Sequence, residues 1–341
     1  MSALLPGALS AFGWTDRVLA LFNDVAGPSL EPARVVRVER SACAAVFTDG
    51  AERLVHAAVL PAVGDWIAVR DEVVQAVLPR WSDLTRADPS GSAVQVLAAN
   101  VDLVMITAPA DRLSPARVER ELTVAWDSGA QPLVVLTKRD LTDEGAEQSL
   151  AARLIGVDVV PTSVTTGRGV QELRERLLPA RTAALLGPSG SGKSSLINAL
   201  LGRDVLATGA VRDGDHRGRH TTTFRQLIAV PGGGVLIDTP GLRSLGLAGD
   251  VLVEQAFPDI ETLAESCRFS DCRHEAEPGC AVMAAVSNGE LDPDRLASFR
   301  KLRREAAAEA RRRDPLLRRA ELSVWKSRRK SARLNNKRKP R

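Results

Sequence analysis

The chain has 341 residues, 44% of them hydrophobic and 26% charged, which is typical of a soluble globular protein and predicts two or three domains. It contains no run of 18 uninterrupted apolar residues and no basic stretch ahead of an apolar one at its start. We therefore expect neither a membrane span nor a signal peptide, and a cytoplasmic location is the prediction. The net charge is +4.

Short apolar runs dominate the first part of the chain after residues 1–30, an N-terminal segment that shows no clear pattern. Between residues 31 and 90, five such runs are separated by turn signals that include Asp49-Gly50 and Gly64-Asp65. Five strands in so short a stretch predict a small β-barrel, of the OB-fold type. Cys43 lies in one of these runs, and we expect it to be a buried structural thiol.

Residues 93–250 show a different pattern, in which apolar runs without polar alternation are separated by helix-like segments. This pattern predicts an α/β domain, with a mostly parallel sheet covered by helices on both faces. Functional loops in such sheets lie at the carboxyl ends of the strands. Each nucleotide-site motif considered below follows an apolar run in that way.

The first motif, Thr137-Lys138-Arg139-Asp140, is similar to the segment with which GTPases recognise guanine. Asp140 would accept hydrogen bonds from guanine N1–H and the 2-amino group, which adenine does not present. Lys138 would pack its stem along the base, Arg139 belongs to the same binding segment, and Ser163 would add a further contact. Thr137 stands where the usual motif has Asn. A four-residue match of this kind also arises by chance.

The second motif, "GPSGSGKSS", fits the phosphate-binding loop G-x-x-x-x-G-K-[ST] between a strand-like and a helix-like segment. Its glycines allow backbone N–H groups to surround phosphate at a helix N-terminus. Lys193 would reach the β- and γ-phosphates, and the Ser194 hydroxyl would ligate Mg²⁺. The predicted GTP-binding residues of this loop are Gly187, Pro188, Ser189, Gly190, Ser191, Gly192, Lys193, Ser194 and Ser195.

Two further segments have the composition of the switches of a GTPase. "VLIDTPG" places Asp238 at the end of an apolar run, where it would hold Mg²⁺ through water, and Gly241 where its N–H would sense the γ-phosphate. The polar, Gly-rich "GDHRGRHTTT" lies between the phosphate loop and "VLIDTPG", and we favour Thr222 as a second Mg²⁺ ligand beside Ser194. An ordinary surface loop has the same composition.

The catalytic group is not identified by the sequence. Ras-like GTPases have a water-orienting Gln directly after the Gly of the second switch, and here that residue is Leu242. Because Leu cannot orient water, we expect slow intrinsic turnover that a partner accelerates. His216 and His220 are candidate catalytic residues, although a structural or RNA-contacting role fits them as well.

Residues 251–300 contain a cluster of potential metal ligands, Cys267, Cys272, His274 and Cys280, spaced as C-x4-C-x-H-x5-C. Three thiolates and one imidazole suit a tetrahedral, structural Zn²⁺, of which we expect one per chain. Buried free thiols or a redox pair are the alternatives. This segment is predicted to be a small zinc-binding helical domain.

A helix-like stretch runs from about Asp292 to Arg313, and residues 301–341 form a basic, helical tail. Residues 300–341 hold 18 Lys or Arg against 4 Asp or Glu, whereas residues 1–299 hold 28 against 38. A basic tail on an acidic body favours a polyanionic partner such as nucleic acid, and a solvated helix is the alternative. No membrane partner is expected, because the tail lacks a large apolar face.

The order of the motifs is unusual, since the base-recognition segment precedes the phosphate loop. This order predicts a circularly permuted GTPase, in which the chain ends have moved and the assembled site has not. Two rivals remain from the residues alone. One is a P-loop ATPase or small-molecule kinase with a nucleic-acid-binding tail, and the other is a non-catalytic RNA-binding zinc protein.

Together, these motifs over about residues 31–300 strongly resemble the ribosome small-subunit-dependent GTPase A family. The segments that carry the resemblance are TKRD, GPSGSGKSSL, GRHTTT, DTPG and CRFSDC with the following His and EPGC. The resemblance implies an RNA-binding OB-fold, a permuted GTPase domain and a zinc-binding C-terminal domain. It further implies GTP hydrolysis stimulated by the small ribosomal subunit, rRNA binding and a role in late maturation of that subunit. We expect a monomer.

Overall fold

The computed structural model describes residues 7–25, 29–39, 41–87, 94–142, 145–206, 225–238 and 253–313. Most of the predicted switch segments and most of the basic tail lie outside these residues. Within them, no helix is both long enough and apolar enough to cross a membrane.

A closed β-barrel follows a 3-10 helix at Gly7–Phe12 and helix α1 at Asp16–Val25. Its strands are β1 (Glu31–Val38), β2 (Cys43–Phe47), β3 (Glu52–Val55), β4 (Trp66–Arg70) and β5 (Val73–Val77). Strand β1 pairs with both β2 and β4, β2 pairs with β3, and β4 pairs with β5. A bridge between His56 and Val73 joins the end of β3 to β5 and closes the ring. The five predicted strands are therefore confirmed.

The barrel interior is apolar, and Cys43 lies in it with no exposed surface. Burial raises the pKa of the Cys43 thiol to about 11, with Asp65 adding to the rise. The thiol is therefore protonated at neutral pH, and its burial agrees with the buried structural thiol that the sequence predicts.

The central sheet follows a separate hairpin made of β6 (Asp83–Ala87) and β7 (Val94–Ala99). Its elements, in chain order, are β8 (Leu103–Pro109), α2 (Pro115–Asp127), β9 (Gln131–Thr137), α3 (Gly145–Arg153), β10 (Val159–Pro161), α4 (Val170–Leu177), β11 (Thr182–Leu186), α5 (Lys193–Leu201), β12 (Gln226–Ala229) and β13 (Val235–Asp238). The strand order is β10-β9-β8-β11-β13-β12, and the first five strands run parallel. Strand β12 is antiparallel to β13.

Both faces of this sheet are buried, as the continuous apolar strands predict. Every residue of β8 is buried, and its side chains alternate between two apolar clusters. Val104 and Ile106 pack in the cluster that contains residues of α2 and α3, whereas Leu103 and Met105 pack in the cluster of α4 and α5. Packing on both faces fixes the positions of the parallel strands, and so also of the loops that follow them.

The barrel and the central sheet are continuous, although the sequence predicts two separate units. Arg37 of β1 pairs with Gln226 of β12, so the first barrel strand extends the sheet of the following domain. Nearby, the buried Arg34 guanidinium donates to Thr182 Oγ1 at 2.8 Å and lies 4.8 Å from the ring centroid of Trp66. Burial lowers the pKa of Arg34 to about 10, so it still carries its charge at neutral pH.

The C-terminal part is helical and consists of a 3-10 helix at Val253–Ala256, α6 (Pro258–Ala264), α7 (Ala281–Ser287) and α8 (Pro293–Arg313). A buried charge network attaches it to the central domain. Glu119 of α2, which has no exposed surface, accepts from Arg153 at 2.7 Å and from Arg295 at 3.0 Å. Arg295 also forms two 2.6 Å bonds with Asp259. Such a bidentate network fixes α6 and α8 against α2.

Candidate nucleotide site and metal-binding cluster

Five loops meet at one edge of the central sheet, because the carboxyl ends of its parallel strands share that edge. They follow β10, β9, β8, β11 and β13 in spatial order. The predicted motifs occupy four of these positions. Ser163 follows β10, the base-recognition segment ends β9, the phosphate loop follows β11, and Asp238 ends β13.

The phosphate loop depends on glycines whose backbone conformation is left-handed. Gly187, Gly190 and Gly192 have φ values of 139°, 73° and 89°. A Cβ on Gly187 would lie 2.1 Å from Thr107 Oγ1, so a side chain does not fit there. The loop leads into the first turn of α5, where no side chain caps the backbone N–H groups. Those N–H groups and the helix dipole make a cradle that suits phosphate.

Lys193 closes over this loop. Its ammonium donates to the carbonyl oxygens of Gly187 and Pro188 at 2.8 and 2.6 Å and lies 3.4 Å from Ser191 Oγ. A bound phosphate would compete with these carbonyls for the ammonium, since charged acceptors form stronger hydrogen bonds than neutral ones. Lys193 is therefore placed to act as the main cation of the loop.

The base-recognition segment touches the phosphate loop directly. Thr137 Oγ1 donates to the carbonyl oxygen of Ser191 at 2.7 Å, across 54 positions of the sequence. Thr137 is buried and Ser191 has no exposed surface, so this bond is shielded from water. Thr137, where the usual motif has Asn, thus supplies a hydroxyl that ties the two loops together. The two motifs lie at one site despite their reversed order.

The other residues of the base-recognition segment differ in their surroundings. Asp140 is exposed, and its carboxylate makes no hydrogen bond within the described part of the chain. Lys138 has a left-handed backbone, and its Nζ lies 3.5 Å from Asp111 Oδ2. The Arg139 side chain is buried in contacts with the Thr142 carbonyl and Glu147. Arg139 therefore supports the segment from within, and Asp140 is the group available to a base.

Ser163 lies beside this segment at the end of the sheet. It is almost fully buried, and its Oγ accepts from the backbone N–H of Thr166 at 3.2 Å. The preceding Thr162 donates its backbone N–H to Leu136 at 2.8 Å and accepts from that of Arg139 at 3.0 Å. These bonds fix the loop after β10 against the base-recognition segment.

Asp238 lies on the other side of the phosphate loop, half-buried at the end of β13. Burial raises the pKa of its carboxyl, and the Lys193 ammonium opposes that rise. A bound divalent cation would favour the carboxylate in the same way as Lys193 does. The remaining predicted residues of the site, Thr222, Gly241, His216 and His220, lie outside the described residues, as does Leu242.

Three residues of this site were not predicted from the sequence: Thr107, Asp111 and Arg112. Thr107, fully buried, bonds with Ser191 Oγ at 2.7 Å and donates to the Leu186 carbonyl at 2.8 Å. Asp111 and Arg112 form a 3-10 turn directly after β8. The signal for all three was their position at the end of a buried parallel strand, although they match no motif.

The Cys and His side chains predicted to bind metal converge on one point. The four potential ligand atoms of Cys267, Cys272, His274 and Cys280 all lie within 4.8 Å of one another. Burial lowers the pKa of His274, which favours the neutral imidazole that a metal requires. The backbone N–H of Met283 donates to Cys280 Sγ at 3.4 Å at the start of α7. This cluster could hold a metal ion.

Comparison with known proteins identifies the family. A profile described as RsgA GTPase matches residues 77–248. The small ribosomal subunit biogenesis GTPase RsgA of Streptomyces coelicolor is 48% identical over 318 residues, which cover 87% of this chain and 86% of that protein. The chain belongs to the RsgA GTPase family. A protein of the same name from Opitutus terrae is 45% identical over 93% of this chain and 95% of its own length.

Two solved structures share the fold of this chain. The crystal structure of YjeQ from Thermotoga maritima is 27% identical, with a TM-score of 0.60, and the match covers 82% of this chain and 99% of that one. The structure of YloQ, described as a circularly permuted GTPase, is 23% identical, with a TM-score of 0.58. That match covers 84% of this chain and 96% of that one, and it supports the fold alone.

As a member of the RsgA GTPase family, the chain is a GTP hydrolase. The predicted fold class is confirmed: a barrel, a circularly permuted GTPase sheet with helices on both faces, and a helical C-terminal part with a Cys₃His cluster. The rival interpretations as an ATPase, a small-molecule kinase or a non-catalytic protein are set aside by this membership.

Proposed function

We propose that this GTPase acts in late maturation of the small ribosomal subunit, that the subunit stimulates its GTP hydrolysis, and that it binds rRNA. The observation that carries the nucleotide-binding part of this proposal is the 2.7 Å bond from Thr137 to Ser191, which joins the predicted base-recognition segment to the predicted phosphate loop. The names of the Streptomyces and Opitutus relatives supply the small subunit as the partner class. The proposed location is the cytoplasm, with the chain acting as a monomer.

We propose the following functions for the parts of the chain, in chain order. Residues 1–30 lead into an RNA-binding barrel at 31–90, followed by the permuted GTPase domain at 93–250. A zinc-binding domain at 251–300 and a basic helical tail at 301–341 complete the chain. Support for a polyanionic partner comes from the middle and second half of α8, where exposed basic side chains include Lys301, Arg303, Arg304 and Arg311.

In the proposed nucleotide site, Asp140 reads guanine, Lys138 packs along it, and Ser163 supports the base loop. Residues 187–195 hold the phosphates, with the Lys193 ammonium as the principal cation. Ser194, Thr222 and Asp238 would hold Mg²⁺, the last through water, and bound Mg²⁺ would neutralise charge on the β- and γ-phosphates. Gly241 is proposed to sense the γ-phosphate, with His216 and His220 as candidate catalytic residues.

Zinc is the proposed metal of the Cys₃His cluster. Cys267 Sγ and Cys280 Sγ lie 3.9 Å apart, and each lies 3.6 Å from His274 Nδ1. A tetrahedral ion with Zn–S of about 2.3 Å and Zn–N of about 2.0–2.1 Å has edges of about 3.8 Å between sulfurs and about 3.6 Å between sulfur and nitrogen. These three separations, among Cys267, His274 and Cys280, fit this polyhedron. Four protein ligands leave no open position, so the metal would be structural.

Removing the metal is expected to destabilise the C-terminal part, because the segment between α6 and α7 has few regular elements of its own. A zinc-selective chelator should lower the unfolding temperature by roughly 10 °C, as loss of a structural zinc removes much of the local folding free energy. Elemental analysis should give one zinc per chain, lost in Cys272→Ser and retained in Cys43→Ala. Zinc retained by Cys272→Ser, or an unfolding temperature that chelation leaves unchanged, would contradict this role.

Purified small ribosomal subunits are expected to raise GTP turnover by about tenfold or more, which corresponds to lowering the barrier by about 1.4 kcal/mol. The physical reason is that Leu242 supplies no water-orienting group, so the subunit must order one. Phosphate release should be measured with no ribosomal particle, with small subunits and with large subunits. The Lys193→Ala chain with small subunits controls for contaminating GTPases. Equal turnover with small and large subunits would argue against the proposal.

A further inference from the structure

The turn after β8, residues Ala110–Arg112, lies between the base-recognition segment and the phosphate loop. Its position follows from the sheet order, in which β8 is flanked by β9 on one side and by β11 on the other. The loop after β9 carries Asp140, and the loop after β11 carries Lys193. Any side chain that projects from the end of β8 is therefore close to both the base and the phosphate ends of the site.

Asp111 connects the two ends. Its Oδ2 lies 3.5 Å from Lys138 Nζ and 3.5 Å from Arg112 Nε. Asp111 is about one-quarter exposed, so these charge interactions are partly screened by water. One carboxylate oxygen thus orients the lysine of the base-recognition segment and the guanidinium beside the phosphate loop. The contact of Arg112 with Asp111 is through Nε.

The Arg112 guanidinium reaches the phosphate loop through Nη2. Its Nη2 lies 3.4 Å from the position that a Cβ on Gly190 would take. Neither Nη atom has a hydrogen-bond partner among the residues that the structure describes, and the side chain is 63% exposed. A guanidinium in this state presents a fixed fork of donors, which matches the geometry of phosphate oxygens.

We propose that Arg112 is a nucleotide-binding residue that donates from its Nη atoms to the α- and β-phosphates of the bound guanine nucleotide. This inference rests on the nucleotide site proposed above. Lys193 begins α5 at the end of the loop assigned to the β- and γ-phosphates. Arg112 lies near Gly190 on the side of the loop that is closer to Lys138 and the base. It would therefore contact the α- and β-phosphates, which are the phosphates nearer to the base. The contact is present with GDP as well as with GTP.

The test uses the full chain and measures dissociation constants for fluorescent GDP and for a non-hydrolysable fluorescent GTP analogue. Arg112→Ala should weaken both by about tenfold, as expected for loss of a charge-assisted hydrogen bond, and Arg112→Lys should lie between that variant and the wild type. Guanosine, used as a competitor, lacks phosphates and should bind the wild type and Arg112→Ala equally. Arg176→Ala removes a cation from α4, outside the site, and should bind as the wild type does.

The results distinguish a phosphate contact by Arg112 from a role in supporting the base loop. Unchanged GDP and GTP-analogue affinity in Arg112→Ala would overturn the proposal. Equal losses for guanosine and GDP would also overturn it, since the residue would then only support the base loop. Weakening confined to the GTP analogue would place the contact at the γ-phosphate and reject the α- and β-phosphate assignment. A wild-type chain that binds no guanine nucleotide would refute the proposed site itself, and this inference with it.

Discussion

Lys193→Ala is expected to lower GTP turnover by about 10²–10³, the cost of removing one preorganised group that stabilises developing charge. The structure gives the reason. The Lys193 ammonium already lies within the phosphate loop, 2.6–2.8 Å from two of its carbonyl oxygens, so it needs little rearrangement to meet a phosphate. Alanine is a strong helix former at the start of α5, and the side chain is half-exposed, so the fold should be preserved.

Initial rates of phosphate release under saturating GTP, with and without small subunits, measure this effect. Unfolding temperatures of the variant and the wild type should agree, and Arg176→Ala serves as a charge-matched control on α4. Turnover within a factor of about two of the wild type would show that Lys193 does not act on the phosphates. A large loss accompanied by unfolding would instead identify a structural role.

Asp140→Asn is expected to change the preferred base from guanine to xanthine. Guanine donates from N1–H and its 2-amino group, and a carboxylate accepts both bonds. Xanthine has a carbonyl oxygen at position 2, and the Asn amide can donate to that oxygen while accepting from N1–H. Because hydrogen bonds to a charged group contribute about 1.5–3 kcal/mol each, the loss of GTP affinity should be about 100-fold or more.

The substitution is nearly isosteric, and Asp140 makes no hydrogen bond within the described residues, so the fold should tolerate it. Competition against a fluorescent guanine nucleotide, with GTP, XTP and ATP as competitors, measures the preference. In the wild type, GTP should displace the probe and ATP should fail. Asp140→Asn should bind XTP better than GTP. An unchanged order of affinities would show that Asp140 does not read the base.

Much of the fold was predictable because local signals and tertiary packing agree. The five barrel strands and the doubly covered sheet follow from apolar patterns and turn residues, and the C-terminal helix lies where the sequence is helix-like, from about Asp292 to Arg313. The phosphate loop was predictable from its glycine motif, and the left-handed backbone at Gly187, Gly190 and Gly192 explains why glycine is needed there. The spacing of the Cys and His residues likewise predicted a cluster whose ligand atoms prove to lie within 4.8 Å of one another.

Other features could not be predicted, because they arise from contacts between residues far apart in the chain. The pairing of Arg37 with Gln226 merges the barrel with the central sheet, and nothing in either local sequence specifies it. The buried Glu119–Arg295 pair is a second case, since charged residues on helices are ordinarily exposed. Arg112 is a third, because its position depends on the place of β8 between two motif-bearing strands.

A crystal structure of the chain with bound GDP tests most directly whether motifs in reversed order serve a single nucleotide. The result expected is one GDP molecule, with the Asp140 carboxylate about 2.6–3.2 Å from guanine N1 and N2 and the Lys193 ammonium against the β-phosphate. A GDP whose phosphates lie in the 187–195 loop while its base lies away from Asp140 would contradict the account.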